Sequence, residues 1–516
     1  MHRRRFLCHS LGIATGVAGA TTRPRRVASS GGGAPRTLPS TADTTTYQPL
    51  GSVDVPGARE AVVHPERSAA YVATMDGFVE VDVGDPTTPA VVAERRDIET
   101  DAGRLGGIWD LSVDGERLAV VGPAHHDGRP RGVALFDVST PGDPAQVAFH
   151  PTEFHIHNAC LADGVVYLTG SGLPETPLVM VDASDDDPVE VGRWSPVDED
   201  SDWREVPSQL RVLHDVFVRG DLAVLSCWDA GTWLVDVSQL ARPEVRARVG
   251  DHGLTDLRSL STAEAGVEAI IPPGNAHSAR LNGDGTLLAV GTEAWATVDS
   301  AGAMGEAGEL VGGPGGIDLW DVTDPADPTH HSHVPAPPSA DQTTSGRFTT
   351  AHNFDLVGDR LLSSWYYGGV AVHDVSDPAD PVELARWHDP ATASFWTAQS
   401  LTAGETFVAS SASLTDFDAS LPATREALYV FPERAGTQSD PPSLTGDGTA
   451  VGPPSGRRAG NADGDADGSG PGLGIGAALA GLAGLGGLAT RGRTRPTGTG
   501  PDDGPAAGDL SHSEGE

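Results

Sequence analysis

Lysine is absent from this chain of 516 residues: all 34 basic positions are arginine, set against 72 Asp and Glu for a net charge of -38. So acidic a surface repels a phosphate backbone, which excludes the ordinary nucleic-acid binders. Cysteine is nearly absent too. Cys8 lies in a leader-like N-terminus, leaving Cys160 and Cys227, too few for a disulfide scaffold, and both read as small buried residues. Aromatic residues make up only 5%. Phosphate-binding glycine loops, nucleophile elbows and paired zinc-type cysteines are all missing. What is abundant is Gly (65) and Pro (40), which favours turn-rich β structure over helices.

The two ends read as addresses and not as fold. Residues 1–20 match a twin-arginine export signal: Arg3, Arg4, Arg5, Phe6 and Leu7, an apolar run from Leu11, and a small-residue cleavage site at Ala18-Gly19-Ala20. Residues 21–46 form a Ser/Thr/Gly/Pro-rich linker, and 435–470 a polar, low-complexity stalk. Within 471–493 an apolar run from Leu473 to Ala489 meets the lower length limit for a membrane span, with Arg491 and Arg493 marking a cytoplasmic end. Pro471-Gly472-Leu473 also resembles archaeal sorting signals that are exchanged for a lipid anchor. An acidic tail, 494–516, follows. The expectation is an exported, monomeric protein anchored at the outer face of the membrane, either meeting an unknown extracellular ligand or cell-surface protein or serving as a purely structural component of the cell surface.

Between the linkers, 47–434 is repetitive. Its clearest unit, His352 to Pro390, divides into four short strands separated by Gly-Asp and Asp-Pro turns, the pattern of a propeller blade. The third strand and its turn recur at Gly77, Gly132, Pro177, Gly231 and Gly316, with a degenerate copy at Ala427. Blades are expected near 58–98, 107–151, 155–197, 212–250, 275–335, 350–389 and 396–434. The last lacks a fourth strand, which Leu50 to Val55 would supply. The predicted fold is all-β: a seven-bladed β-propeller of four-stranded antiparallel blades, closed by an N-terminal strand in the last blade.

Third strands reading LVMVD (Leu178 to Asp182) and WLVDV (Trp233 to Val237) make the chain similar to the LVIVD-repeat family of secreted β-propellers. The acidic, lysine-free composition resembles that of haloarchaeal proteins, whose charged shell stays hydrated in concentrated salt. Leu210 to Ser238 also resembles blade segments of the selenium-binding protein family, although that family's N-terminal cysteine segment is missing. That resemblance implies channel histidines holding copper in a methanethiol oxidase.

Histidine is scarce, 18 residues in all, yet His157, His214, His277 and His352 share one register at the start of first strands, with Glu60, Trp109 and Ala398 near the matching positions elsewhere. First strands line a propeller's central channel. The long inserts (198–210, 251–274, 296–315 and 335–349) fall on connections at the same face, where binding sites usually sit. Four imidazoles there, with His155 pointing the same way as His157, could hold Cu or Zn at about 2 Å. They could equally cap the inner strands through water, or bind an anion or peptide directly. Each metal-bound ring would need an outer partner. Strand alternation would turn Asn158, Asp215, Ser278 and Asn353 away from the channel, leaving that role to loops or backbone. No residue is assigned a catalytic role. Other clusters read as structural: His330, His331 and His333 as an exposed outer strand, and the Asp-Pro runs as turns in place of calcium loops. Trp109, Trp365, Tyr366, Tyr367 and Trp396 are candidates for an aromatic rim.

Overall fold

The structure, a computed structural model, describes residues 46–298 and 310–446. The expected leader, the apolar segment 471–493 and the tail lie outside the described residues, as do most of the linker and the end of the stalk. Among the described residues no helix is long and apolar enough to cross a membrane.

Seven four-stranded antiparallel sheets form the ring. Blade 1 shows how sequence becomes a blade. Its first three strands, Ala58–Val63, Ala69–Thr74 and Gly77–Asp82, are mostly buried, whereas the outer strand Ala90–Arg95 alternates between exposed and buried. Inner strands are covered on both faces by neighbouring blades, so they read as continuous small and β-branched runs. Only the rim alternates. Apolar clusters accordingly span pairs of blades, as where Ala70, Val72, Val79 and Val81 of blade 1 meet Val408, Leu428 and Val430 of blade 7.

The recurring Asp at the end of the third strand caps its turn. Main-chain N–H groups of Gly84, Ser139, Ser184, Ser238, Thr323 and Ser376 donate to Asp82, Asp137, Asp182, Asp236, Asp321 and Asp374, each at 2.8–3.0 Å. These bonds account for the Asp-Pro runs. The glycine that opens most third strands has a packing cause. At Gly77 and Gly369 a Cβ would collide with the carbonyl of Arg95 or Trp387 on the outer strand. In blades 1 to 6 that outer strand also carries a bulge opposite the third strand, which twists a free edge away from pairing.

Blade 7 closes as expected. Its strands Phe395–Thr402, Thr406–Ser411 and Ala427–Pro432 are completed by the N-terminal Gly51–Asp54, with Gly51 opposite Val430. Buried Tyr47 fastens this strand: its hydroxyl donates to the Pro432 carbonyl at 3.1 Å.

The inserts are partly ordered. Residues 196–210 form a short helix and two 3-10 turns, 254–268 form the helices Leu254–Ser259 and Thr262–Glu268, and Ala296–Val298 pairs with Leu310–Gly312. Cys227 is buried as expected. Cys160 is only partly buried, because its strand borders the open lower channel.

Candidate metal centre in the channel mouth

The inner strands are irregular where they enter the channel. His157, His214 and His352 stand just before the strands Ala159–Ala162, Asp215–Arg219 and Phe354–Val357, and His277 occupies a register break between Ala276 and Ser278. Similar breaks fall between Ala58 and Ala61 in blade 1 and between Phe395 and Thr397 in blade 7. Outside a regular pleat, consecutive residues need not point to opposite faces. All four histidines therefore line the channel mouth, while Asn158, Asp215 and Asn353 line the channel below. The expectation that those three turn away is overturned.

The side chains close a ring. Centroid separations are 5.2 Å from Trp109 to His157, 4.4 Å to His214, 4.1 Å to His277, 4.5 Å to His352, 4.5 Å to Trp396 and 5.7 Å back to Trp109. The Arg59 guanidinium lies 5.6 Å from the Trp396 ring and pairs with Asp416. Arg59 and Trp396, and not Glu60 and Ala398, are thus the register equivalents in blades 1 and 7. The inner-strand bulges displaced the count.

Above the ring, loops joining second to third strands supply His125, Glu293, Tyr366, Leu414 and Phe417. Of the aromatic candidates, Trp109, Tyr366 and Trp396 reach this rim, whereas Trp365 packs between blades and Tyr367 sits in the apolar collar. His155 does not join the ring. Its carbonyl accepts from Ser171 N–H at 3.2 Å and its imidazole packs on Gly172, so it faces the loop that carries His126 and Arg131. His125 takes its place, 5.5 Å from His157 and 4.3 Å from Trp109.

Burial keeps His125, His157, His214 and His352 neutral. It depresses His125 to about 4 and His352 to about 3, and holds His157 and His214 well below the usual histidine range, with neighbouring histidines adding to the effect. Burial alone would raise the Glu293 carboxyl, but His277, His352 and the Tyr366 hydroxyl outweigh it and hold the group below its ordinary value. Glu293 Oε2 lies 2.9 Å from His277 Nδ1, a close contact off the ideal hydrogen-bond line, and 4.0 Å separates Oε1 from His352 Nε2. Tyr366 donates its hydroxyl proton to Oε1. His352 Nδ1 donates to the Trp396 carbonyl, which leaves its Nε2 as a lone-pair donor.

This site can therefore accept a cation. Ligand atoms of His214, His277 and Glu293 all lie within 4.8 Å of one another. The Nδ1 atoms of His157 and His214 are buried without a hydrogen-bond partner, an arrangement that costs free energy unless something binds there. Of the outer partners that metal-bound rings would need, His352 has one in the Trp396 carbonyl.

Beneath the ring an acidic cavity of about 260 Å³ continues down the channel. Burial pushes Glu60 up to about 7, and burial together with the Glu60 charge raises Asp110 well above the carboxylate range. Arg280 pairs with Asp215 at 2.9 Å. Far from the channel, His330 and His333 flank Asp318 at 2.8 and 3.1 Å on the outer surface of blade 5.

No curated protein matches the sequence. Among solved structures the chain is similar to the β-propeller domain of Cps50 (Swd1) from Myceliophteria thermophila, with a TM-score of 0.48, 10% identity and 75% and 99% of the two chains covered. It is also similar to U3-55K, with a TM-score of 0.49, 10% identity and 75% and 98% covered. The sequence profile of the LVIVD repeat matches residues 70–94, the second to fourth strands of blade 1. This chain is a seven-bladed β-propeller that carries an LVIVD repeat.

Proposed function

We propose that this propeller binds a ligand or partner at its channel-mouth face through a copper or zinc ion, and that it does so as an exported protein tethered to the membrane. The observation that carries the reading is the buried imidazole cluster, with partnerless ring nitrogens on His157 and His214 beside the Glu293 carboxylate. His214, His277 and Glu293 would hold the ion, flanked by His157 and His352. A bound Cu or Zn would supply Lewis acidity at the base of an aromatic-walled opening. Trp109, Tyr366, Trp396 and Phe417 supply flat apolar walls for the ligand.

Competitive titration of the full-length chain with Zn²⁺ and Cu⁺ probes tests the reading. A saturable site that is lost in the His214→Ala, His352→Ala double variant is expected; a titration left unchanged by both substitutions contradicts it. The tether rests on residues 471–493, and the chain lacking them should leave the membrane fraction.

A copper-dependent oxidase is the second reading, favoured by the imidazole-rich donor set and the resemblance of Leu210 to Ser238. Thiol-dependent oxygen uptake by copper-loaded protein would support it. Loaded protein that consumes no oxygen retains the binding role alone.

A further inference from the structure

A second group of ligand-type side chains lies apart from the ring, where the insert 251–274 meets blade 4. Asp229 projects from the turn joining the second and third strands of that blade, Leu222–Ser226 and Thr232–Asp236. His252 follows the outer strand Glu244–Val249, and Glu268 ends the helix Thr262–Glu268. Ligand atoms of the three fall within 4.8 Å of one another.

Asp229 is the unusual member. It is 1% exposed, and neither carboxylate oxygen meets a hydrogen-bond donor in good geometry, although the backbone N–H groups of Asp229 and Asn275 lie near. His252 Nε2 lies 3.1 Å from Glu268 Oε1, again without hydrogen-bond alignment. The chain makes room for this carboxylate: a Cβ at position 274 would strike Asp229 Oδ1 in its present position, and Gly274 leaves that space open. A buried carboxylate without a counter-charge is costly. Burial and the Glu268 charge together drive Asp229 towards its protonated form. A cation would remove that cost and give Asp229 and His252 a partner shared with Glu268.

We propose that Asp229, His252 and Glu268 form a second cation site, taking Zn²⁺ or Mn²⁺, which fastens the two-helix insert to blade 4. The imidazole and carboxylates suit borderline Zn²⁺, and the two carboxylates suit the harder Mn²⁺. The placement has a consequence for the mouth. Trp295 N–H donates to the Ile270 carbonyl at 2.9 Å, and Ile270 packs in the cluster that contains Trp109, Tyr366 and Trp396. The insert thus packs against the apolar cluster whose Trp109, Tyr366 and Trp396 line the principal opening.

The test uses the full-length chain carrying His214→Ala and His352→Ala, so that the ring site cannot report. After chelator treatment, hydrogen exchange of peptides spanning 251–274 is followed during titration with Zn²⁺ and with Mn²⁺. Saturable protection by at least one cation is expected, weakened about 10-fold or more in affinity by Glu268→Gln and by Asp229→Asn. Glu268 is half-buried, so its variant keeps the test informative should Asp229→Asn fold poorly. Protection by neither cation, or protection unchanged in Glu268→Gln, overturns the site. Neither result bears on the ring.

Discussion

His277 Nδ1 and Glu293 Oε2 lie 2.9 Å apart, both buried, in a channel mouth otherwise walled by neutral rings. Glu293 arrives from a loop within blade 5 and, among the described residues lining that mouth, is the only carboxylate. Removing its charge should leave the imidazoles in place and weaken the cation. Glu293→Gln is expected to lower Zn²⁺ or Cu⁺ affinity by about 10- to 100-fold with little change in thermal stability. Competition titration reads the first and a melting curve the second.

The imidazoles make acid sensitivity a second prediction. His125, His157, His214 and His352 remain neutral in the folded protein at pH values where an unfolded histidine, with a pKa near 6.5, takes up a proton. Below about 6.5 the unfolded state therefore binds more protons. Stability rises with pH between about 4 and 6.5 and is lost on acidification, at about 1.4 kcal/mol per pH unit for each histidine. In chelator at constant salt, denaturation midpoints at pH 5 and 6 should show this slope, and His352→Gln should reduce it by one histidine's share.

Glu60 predicts the opposite sign. Burial raises its pKa to about 7, so the folded state holds a proton that the unfolded chain releases above about 4.5. The group therefore destabilises the fold increasingly as pH rises from about 4.5 to 7. Glu60→Gln should gain stability over the unsubstituted chain across that window, and the gain should level off above it. Urea midpoints at pH 5 and 8 provide the comparison, and an equal difference at both would place Glu60 in contact with solvent.

Ring closure depends on a short strand, and Tyr47 anchors it. Tyr47→Ala removes a buried ring that packs 6.3 Å from Phe431 and a hydroxyl bond to Pro432. A loss of about 3–5 kcal/mol is expected, in line with other large aromatic-to-alanine changes in cores. Chemical denaturation of the folded chain in salt measures it.

The blades were legible in the sequence because their determinants are local and repeated: the buried strand run, the Asp that caps its turn, and the glycine that admits the outer-strand carbonyl. The four histidines were legible for the same reason, since a shared register implies a shared position on the channel. Arg59 and Trp396 were misread by a residue or two because bulges at Ala58/Ala61 and Phe395/Thr397 break the count. His125 and Glu293 were missed because they sit in loops of unequal length, where no repeat register exists. His155 was misassigned by assuming a regular strand, when its segment is held by an isolated bridge to Ser171.

Metal content tests most directly whether the imidazole ring holds a metal. Full-length protein carrying Asp229→Asn, purified in high salt without chelator, should retain close to one Cu or Zn per chain, and adding His214→Ala and His352→Ala should remove it. Less than about 0.2 metal per chain in the protein with its ring intact, unchanged after exposure to both ions, would contradict the account.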